Sequence, residues 1–128
     1  MTLRRASAPA VVLTFGLLAG CDGRGEVYDQ AAAMTGGDPA AGRHVIASVG
    51  CASCHTIPGI RGADALVGPP LTQMAGRTYI GGVVTNTPEN MVRWLRNPPG
   101  VDPMTAMPNL RLTDAQARDA ASYLYTLK

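Results

Sequence analysis

Aromatic side chains are scarce in this sequence of 128 residues, at 5% in all, with a single Phe and a single Trp. The Phe is Phe15, near the N-terminus, so a folded domain must build its core from Trp94, four Tyr and small aliphatic residues. For a domain of about 100 residues that core is thin, and something besides side chains should help fill it. Charge is also sparse, at 16% of residues. The formal charge of +2 comes from Arg4 and Arg5, because from residue 21 onward nine basic residues (eight Arg and Lys128) balance nine acidic ones. A neutral chain carries no electrostatic footprint for nucleic acid, and none is expected as a partner. At about 100–200 residues per domain, the length excludes a two-domain enzyme. The 46% hydrophobic content excludes a disordered chain, while 15 Gly and 10 Pro predict much loop.

Long hydrophobic runs are also missing. Val11 to Ala19 is too short to span a bilayer as a helix, and with Arg4 and Arg5 ahead of it residues 1–20 read as a secretory signal. The end of that segment, Leu18-Ala19-Gly20-Cys21, resembles the lipobox of bacterial lipoproteins. The resemblance implies that Cys21 carries lipid and holds the chain at a membrane on the periplasmic side; a plain periplasmic protein with a stray Cys is the alternative. Asp22, directly after the lipidated position, implies retention in the inner membrane. Residues 21–37 are polar and small and read as a flexible tether, with a reach of about 20–25 Å.

The folded domain is expected over residues 38–128, with clear helix signals. Asp38 can cap a helix that has Pro39 at its first position and runs to about Val49, ended by Gly50. Thr87-Pro88-Glu89-Asn90 starts another, closed before Pro98-Pro99. Thr113-Asp114-Ala115-Gln116 reads as a capping box for a last helix through Leu127. A short helix around Leu71 to Ala75 makes four. No hairpin is expected, since the Val83-Val84 run is too short to count.

The chemistry begins at Cys51-Ala52-Ser53-Cys54-His55. Two thiols three positions apart can each add to one vinyl group of a haem, and the adjacent imidazole then lies over the iron; C-x-x-C-H is the c-type haem attachment signature. With Cys21 assigned to lipid, no thiol is left over. A thioredoxin-like pair wants a preceding strand and a βαβ context, neither of which the sequence offers. A zinc site would need two more ligands, and the only histidines, His44 and His55, are not at finger-like spacing. A structural disulfide would strain so short a step.

Residues 38–128 resemble the small class I cytochromes c, which implies an all-α fold of about four short helices wrapped around one covalently bound haem c. Gly68-Pro69-Pro70-Leu71 and Gly76-Arg77 with Tyr79 stand at the family's spacing after the haem histidine. The resemblance implies that the Pro69 carbonyl accepts a hydrogen bond from His55 Nδ1, leaving Nε2 for iron. It places Arg77 and Tyr79 near the haem propionates, with Trp94 a further candidate. The plain alternatives are a solvated Arg77 and a Trp94 that is simply core. The second axial ligand should come from the loop between the third and last helices, where Met104 and Met107 both lie. The family's ligand Met is commonly followed by Pro, which favours Met107-Pro108, so the metal ligands are expected to be His55 and Met107. The family's first and last helices cross closely, and Gly42 and Tyr123 hold the corresponding places.

A narrower resemblance covers Gly50-Cys51, Cys54-His55-Thr56-Ile57, Val67-Gly68-Pro69, Gly76 to Gly82 and Asn86 to Asn90. These stretches look like the cytochrome c domain fused to subunit II of certain haem-copper terminal oxidases. The implied function is electron transfer rather than enzymatic catalysis: a membrane-anchored monohaem carrier between an upstream reductase and a terminal oxidase. A cytochrome subunit that takes electrons from a periplasmic dehydrogenase is the alternative. A haem sensor or peroxidase is disfavoured by Met107-Pro108 and by the lack of a distal His-Arg arrangement.

Overall fold

A computed structural model describes residues 23–128. The signal segment, Cys21 and Asp22 lie outside the described residues. Among the described residues five α-helices make up the framework: α1 Gly23–Thr35, α2 Pro39–Ser48, α3 Pro88–Arg96, α4 Pro98–Val101 and α5 Asp114–Tyr125. No helix among the described residues is long and apolar enough to cross a membrane.

Three of these helices start where their caps dictate. The Asp38 carboxylate accepts from the Ala40 N–H at 2.8 Å with Pro39 in the first turn of α2. Thr87 Oγ1 accepts from Asn90 N–H at 3.2 Å and opens α3. Thr113 and Gln116 form the reciprocal capping box of α5, satisfying two of the donors that a helix start leaves open.

The fold is organised around α5, whose Ala117, Ala120, Ala121, Ser122, Tyr123, Leu124 and Tyr125 are all buried. Its small residues let α2 come very close. A Cβ on Gly42 would run into the backbone carbonyl of Asp119, so only glycine fits there, and that offsets its cost of about 1 kcal/mol within a helix. The close crossing expected from the resemblance is present between α2 and α5. Gly42 meets the Asp119–Ala120 backbone, while the Tyr123 hydroxyl donates to the Pro58 carbonyl at 2.7 Å.

Residues 23–35 form α1 and are not the loose tether expected. Ala31 (2% exposed) and Thr35 (5%) are buried as α1 lies against α5 and α3. Thr35 Oγ1 donates to the Ala31 carbonyl. The Gly36-Gly37 link is fastened as well, because Ser122 Oγ donates to the Gly37 carbonyl and the Asp38 N–H donates to Asp119 Oδ1 at 2.8 Å. The run Ala31-Ala32-Ala33, taken from sequence as small and mobile, is a strong helix former once one of its faces is packed.

Two smaller differences concern the loops. The expected helix at Leu71–Ala75 is a single 3-10 turn over Met74–Gly76. A two-residue hairpin, β1 Tyr79–Ile80 paired antiparallel with β2 Val84–Thr85, was not expected; it is too short for periodicity to reveal and is held by the Asn86 N–H on the Thr78 carbonyl.

Candidate functional site

Beyond α2 the chain makes a 3-10 turn over Cys51–Ser53, and the Cys54 and His55 N–H groups both return to the Cys51 carbonyl. This compact turn presents Cys51 and Cys54 as free, half-buried thiols. Burial pushes the Cys51 thiol above the ordinary thiol range, with Cys54 beside it adding in the same direction. Both sulfurs are thus available as thiols and not locked in a disulfide.

Residues 56–70 fold back onto this turn through a set of backbone bonds. Ile57 N–H donates to Ala63 O, Leu71 N–H to Thr56 O, and Gly68 N–H to Cys54 O at 2.7 Å. Buried Ile57, Ile60 and Ala63 give the loop its own apolar filling. The result is that Pro69 is carried to His55: Nδ1 lies 2.7 Å from the Pro69 carbonyl oxygen. A carbonyl can only accept, so Nδ1 carries a proton, and Nε2 is the ring nitrogen left for a metal. Gly68 forms a wall of this cradle, because a Cβ there would overlap the His55 ring, within 2.7 Å of Nδ1.

The other expected residues are less uniformly placed. Arg77 Nη2 donates to the carbonyls of Pro70 and of Thr72, the latter at 3.0 Å, so its cation braces the loop that carries Pro69. Tyr79 is 56% exposed at the start of β1, whereas Trp94 is buried at 7%, its ring against Gly81. Met107 is half-buried against the core with its N–H on Thr105 Oγ1, while Met104 is 90% exposed. Met74 and Met91 are core, and His44 is exposed on α2.

Asn86 is a residue that sequence reasoning quoted but gave no role. Its Nδ2 donates to the carbonyls of Met74 at 2.8 Å and Arg77 at 2.9 Å, and its Oδ1 accepts from the Tyr125 hydroxyl at 2.8 Å. The side chain thereby ties the 74–86 loop to α5. No local signal marks it, since an Asn in a loop reads only as a turn former. Burial, with the Glu89 charge adding, pushes Tyr125 up to about 12. An unfolded phenol ionises near about 10, so the unfolded state gives up its proton first. The Tyr125 contribution to stability is therefore present below pH about 10 and is lost as the pH rises from there through about 12. Tyr125→Phe should lower the neutral-pH melting temperature by the equivalent of about 1 kcal/mol and make the alkaline decline shallower. Thermal melts from neutral pH upward check this, and a decline of unchanged steepness would remove Tyr125 from the explanation.

The donor set suits the group that the C-x-x-C-H signature implies. Two free thiols and an imidazole with its Nδ1 already engaged would hold a covalent haem c, and the Gly68 cradle keeps the ring in one orientation. The comparisons with known proteins agree. Residues 39–128 match the family model described as "Cytochrome c". The chain is 33% identical over 90 residues to a cytochrome c oxidase subunit 2 of Alkalihalophilus pseudofirmus, covering 68% of this chain and 25% of that protein. It is 32% identical over 82 residues to the cytochrome c oxidase subunit 2 of Bacillus sp. (strain PS3), covering 61% of this chain and 23% of that protein. The chain thus spans about a quarter of the length of these relatives. No solved structure matches it. With the helix-dominated fold, the two-thiol turn and the match over residues 39–128, the chain belongs to the cytochrome c family.

Proposed function

We propose that the chain is a single-electron carrier of a periplasmic respiratory chain, passing electrons to a haem-copper terminal oxidase. In this reading Cys51 and Cys54 would hold the haem by thioethers, and His55 Nε2 and the Met107 sulfur would be the protein's ligands to its iron. The haem supplies a one-electron couple when bound. The observation that carries the reading is the His55 Nδ1–Pro69 bond, which fixes the ring and its tautomer for a metal on Nε2. The half-buried Met107 supports it as the sixth ligand over the solvent-facing Met104. Arg77 engages the Pro70 and Thr72 carbonyls through Nη2 alone, which leaves Nε and Nη1 to donate to a haem propionate. Tyr79 and Trp94 complete that side in the same reading.

The proposed partner follows from what the relatives are called, cytochrome c oxidase subunit 2, and the upstream reductase follows from the need for a donor. Cys21 is proposed to carry the lipid that places the domain on the periplasmic face of the inner membrane. With α1 starting at Gly23 and packed on α5, a rigid helix of about 20 Å then takes the place of a loose tether. Full-length protein made in a bacterial host should fractionate with membranes. Once reduced, it should be oxidised by oxidase-bearing membranes in a cyanide-sensitive way. A wholly soluble product would sink the lipid anchor, and cyanide-insensitive oxidation would favour the dehydrogenase reading.

A further inference from the structure

α1 lies ahead of residues 39–128, the stretch that matches the family, and its C-terminal end forms one wall of a cleft. The cleft, of about 800 Å³, runs between Met34 to Gly36, the outer face of α3 and the first turns of α5. That volume suits an occupant the size of several side chains. Cys51, Cys54, His55, Pro69 and Met107 do not line it. Its walls are the outward faces of the helices, since Trp94 and Leu95 of α3 and Ala117 and Ala121 of α5 are buried in the core behind it.

Three arginines line this cleft, Arg93 and Arg96 one turn apart on α3 and Arg118 on α5, all of them exposed. Only two carboxylates join them there, those of Glu89 and Asp114. Asp114 is shared, with Oδ1 3.4 Å from Arg96 Nη1 and Oδ2 2.8 Å from Arg118 Nη2. One carboxylate between two guanidinium groups leaves positive charge uncompensated. The Arg93 guanidinium makes no hydrogen bond or ion pair within the described residues. Each guanidinium offers five N–H donors, so most of the donors of the three are not engaged by protein. The rest of the lining includes apolar surface: Met34 is 47% exposed, and Pro88 and Val92 border the same cleft.

We propose that this cleft binds an acidic segment of a partner protein, its carboxylates paired with Arg93, Arg96 and Arg118 and an apolar side chain set against Met34. Charge complementarity selects the carboxylates, because a planar guanidinium pairs with them through two parallel hydrogen bonds. The volume and the Met34 surface select a peptide over a single phosphate, which would leave most of the cleft and its apolar wall in water. Position argues against a lipid headgroup: the cleft lies at the end of α1 remote from Gly23, about 20 Å along the helix from the proposed lipid attachment. The inference goes beyond the electron-carrier reading, because it gives the domain a contact with another protein that uses none of the haem-site residues.

The test uses the full-length holoprotein in detergent and a short fluorescent peptide rich in Glu with a central Leu, beside a counterpart with Gln for every Glu. Anisotropy, read against empty micelles, should show saturable binding of the acidic peptide and none of the neutral one. Affinity should fall by about tenfold as ionic strength rises from about 0.01 M to 0.15 M, as the pairs are screened. Arg93→Gln should weaken binding by about tenfold, the loss of one charge-assisted pair. Its melting temperature and visible spectrum should stay as in wild type, since this guanidinium has no partner to lose within the described residues. Arg61→Gln removes an equal charge from an exposed position outside the cleft and should leave binding nearly unchanged. Absence of saturable binding, or equal losses in Arg61→Gln and Arg93→Gln, would overturn the proposal. So would tighter binding to phosphatidylglycerol vesicles that Arg93→Gln abolishes, because the membrane would then be the occupant. A dimer in sedimentation that the same variant disperses would overturn it too, in favour of a second copy. Cyanide sensitivity of the chain's oxidation does not depend on Arg93, so this proposal and the electron-carrier reading fail independently.

Discussion

Replacing Met107 by Ala should abolish the weak far-red sulfur-to-iron charge-transfer band of the ferric protein and lower its midpoint potential by on the order of 0.1 V or more. The thioether is a soft ligand that favours the ferrous state, so its loss stabilises ferric iron and moves the potential down. Met104→Ala should leave both nearly unchanged. The two methionines are three residues apart, yet the fold separates them: Met107 is half-buried against the core, and Met104 is 90% exposed with its N–H on Asp102 Oδ1. Pro108 adds a local reason, since it holds Met107 in extended backbone. Absorption spectra and redox titrations of the two variants decide the matter, and the opposite pattern would move the ligand to Met104.

The other large effect concerns the thiols. With Cys51 and Cys54 both replaced by Ala, acid-acetone should extract all haem from the denatured protein, whereas wild type keeps it in the protein fraction. Single replacements should keep one thioether and remain attached. Haem adds core material to a domain whose side chains alone provide little of it, so the double variant should also lose much of its thermal stability. Haem staining of denaturing gels reads the first effect and melting curves the second. Wild-type haem that extracts freely would contradict covalent attachment.

How far the sequence could be read depended on how local each determinant is. The caps at Asp38, Thr87 and Thr113 are written within four residues of the helices they start, and all three hydrogen bonds are present. The two-thiol turn is likewise a single pentapeptide. α1 was not legible, because its only signal is an alanine run between polar residues, and its stability comes from Ala31 and Thr35 packing against a helix that lies some 80 positions further along the chain. The short α4 was hidden in Pro98-Pro99, which reads as a helix stop until the chain turns again after Arg96. The Gly42 crossing could be expected from the resemblance, whereas its close approach to the Asp119 backbone depends on the distance between two helices. The Pro69 contact came from the family's spacing, yet what delivers it is the ladder from Thr56 to Leu71, in which backbone groups do most of the binding and side-chain identity says little. Asn86 belongs to the same class, since its three side-chain bonds join pieces of chain that no local pattern connects.

Exposure of the ferrous wild-type protein to carbon monoxide at neutral pH tests the central claim most directly, because a carrier with His55 and Met107 on its two axial positions has no place for the gas. The visible spectrum should stay as it was under argon. A prompt, stoichiometric shift of the Soret band would reveal an open iron position, contradict the electron-carrier account, and return the protein to the sensor or peroxidase class.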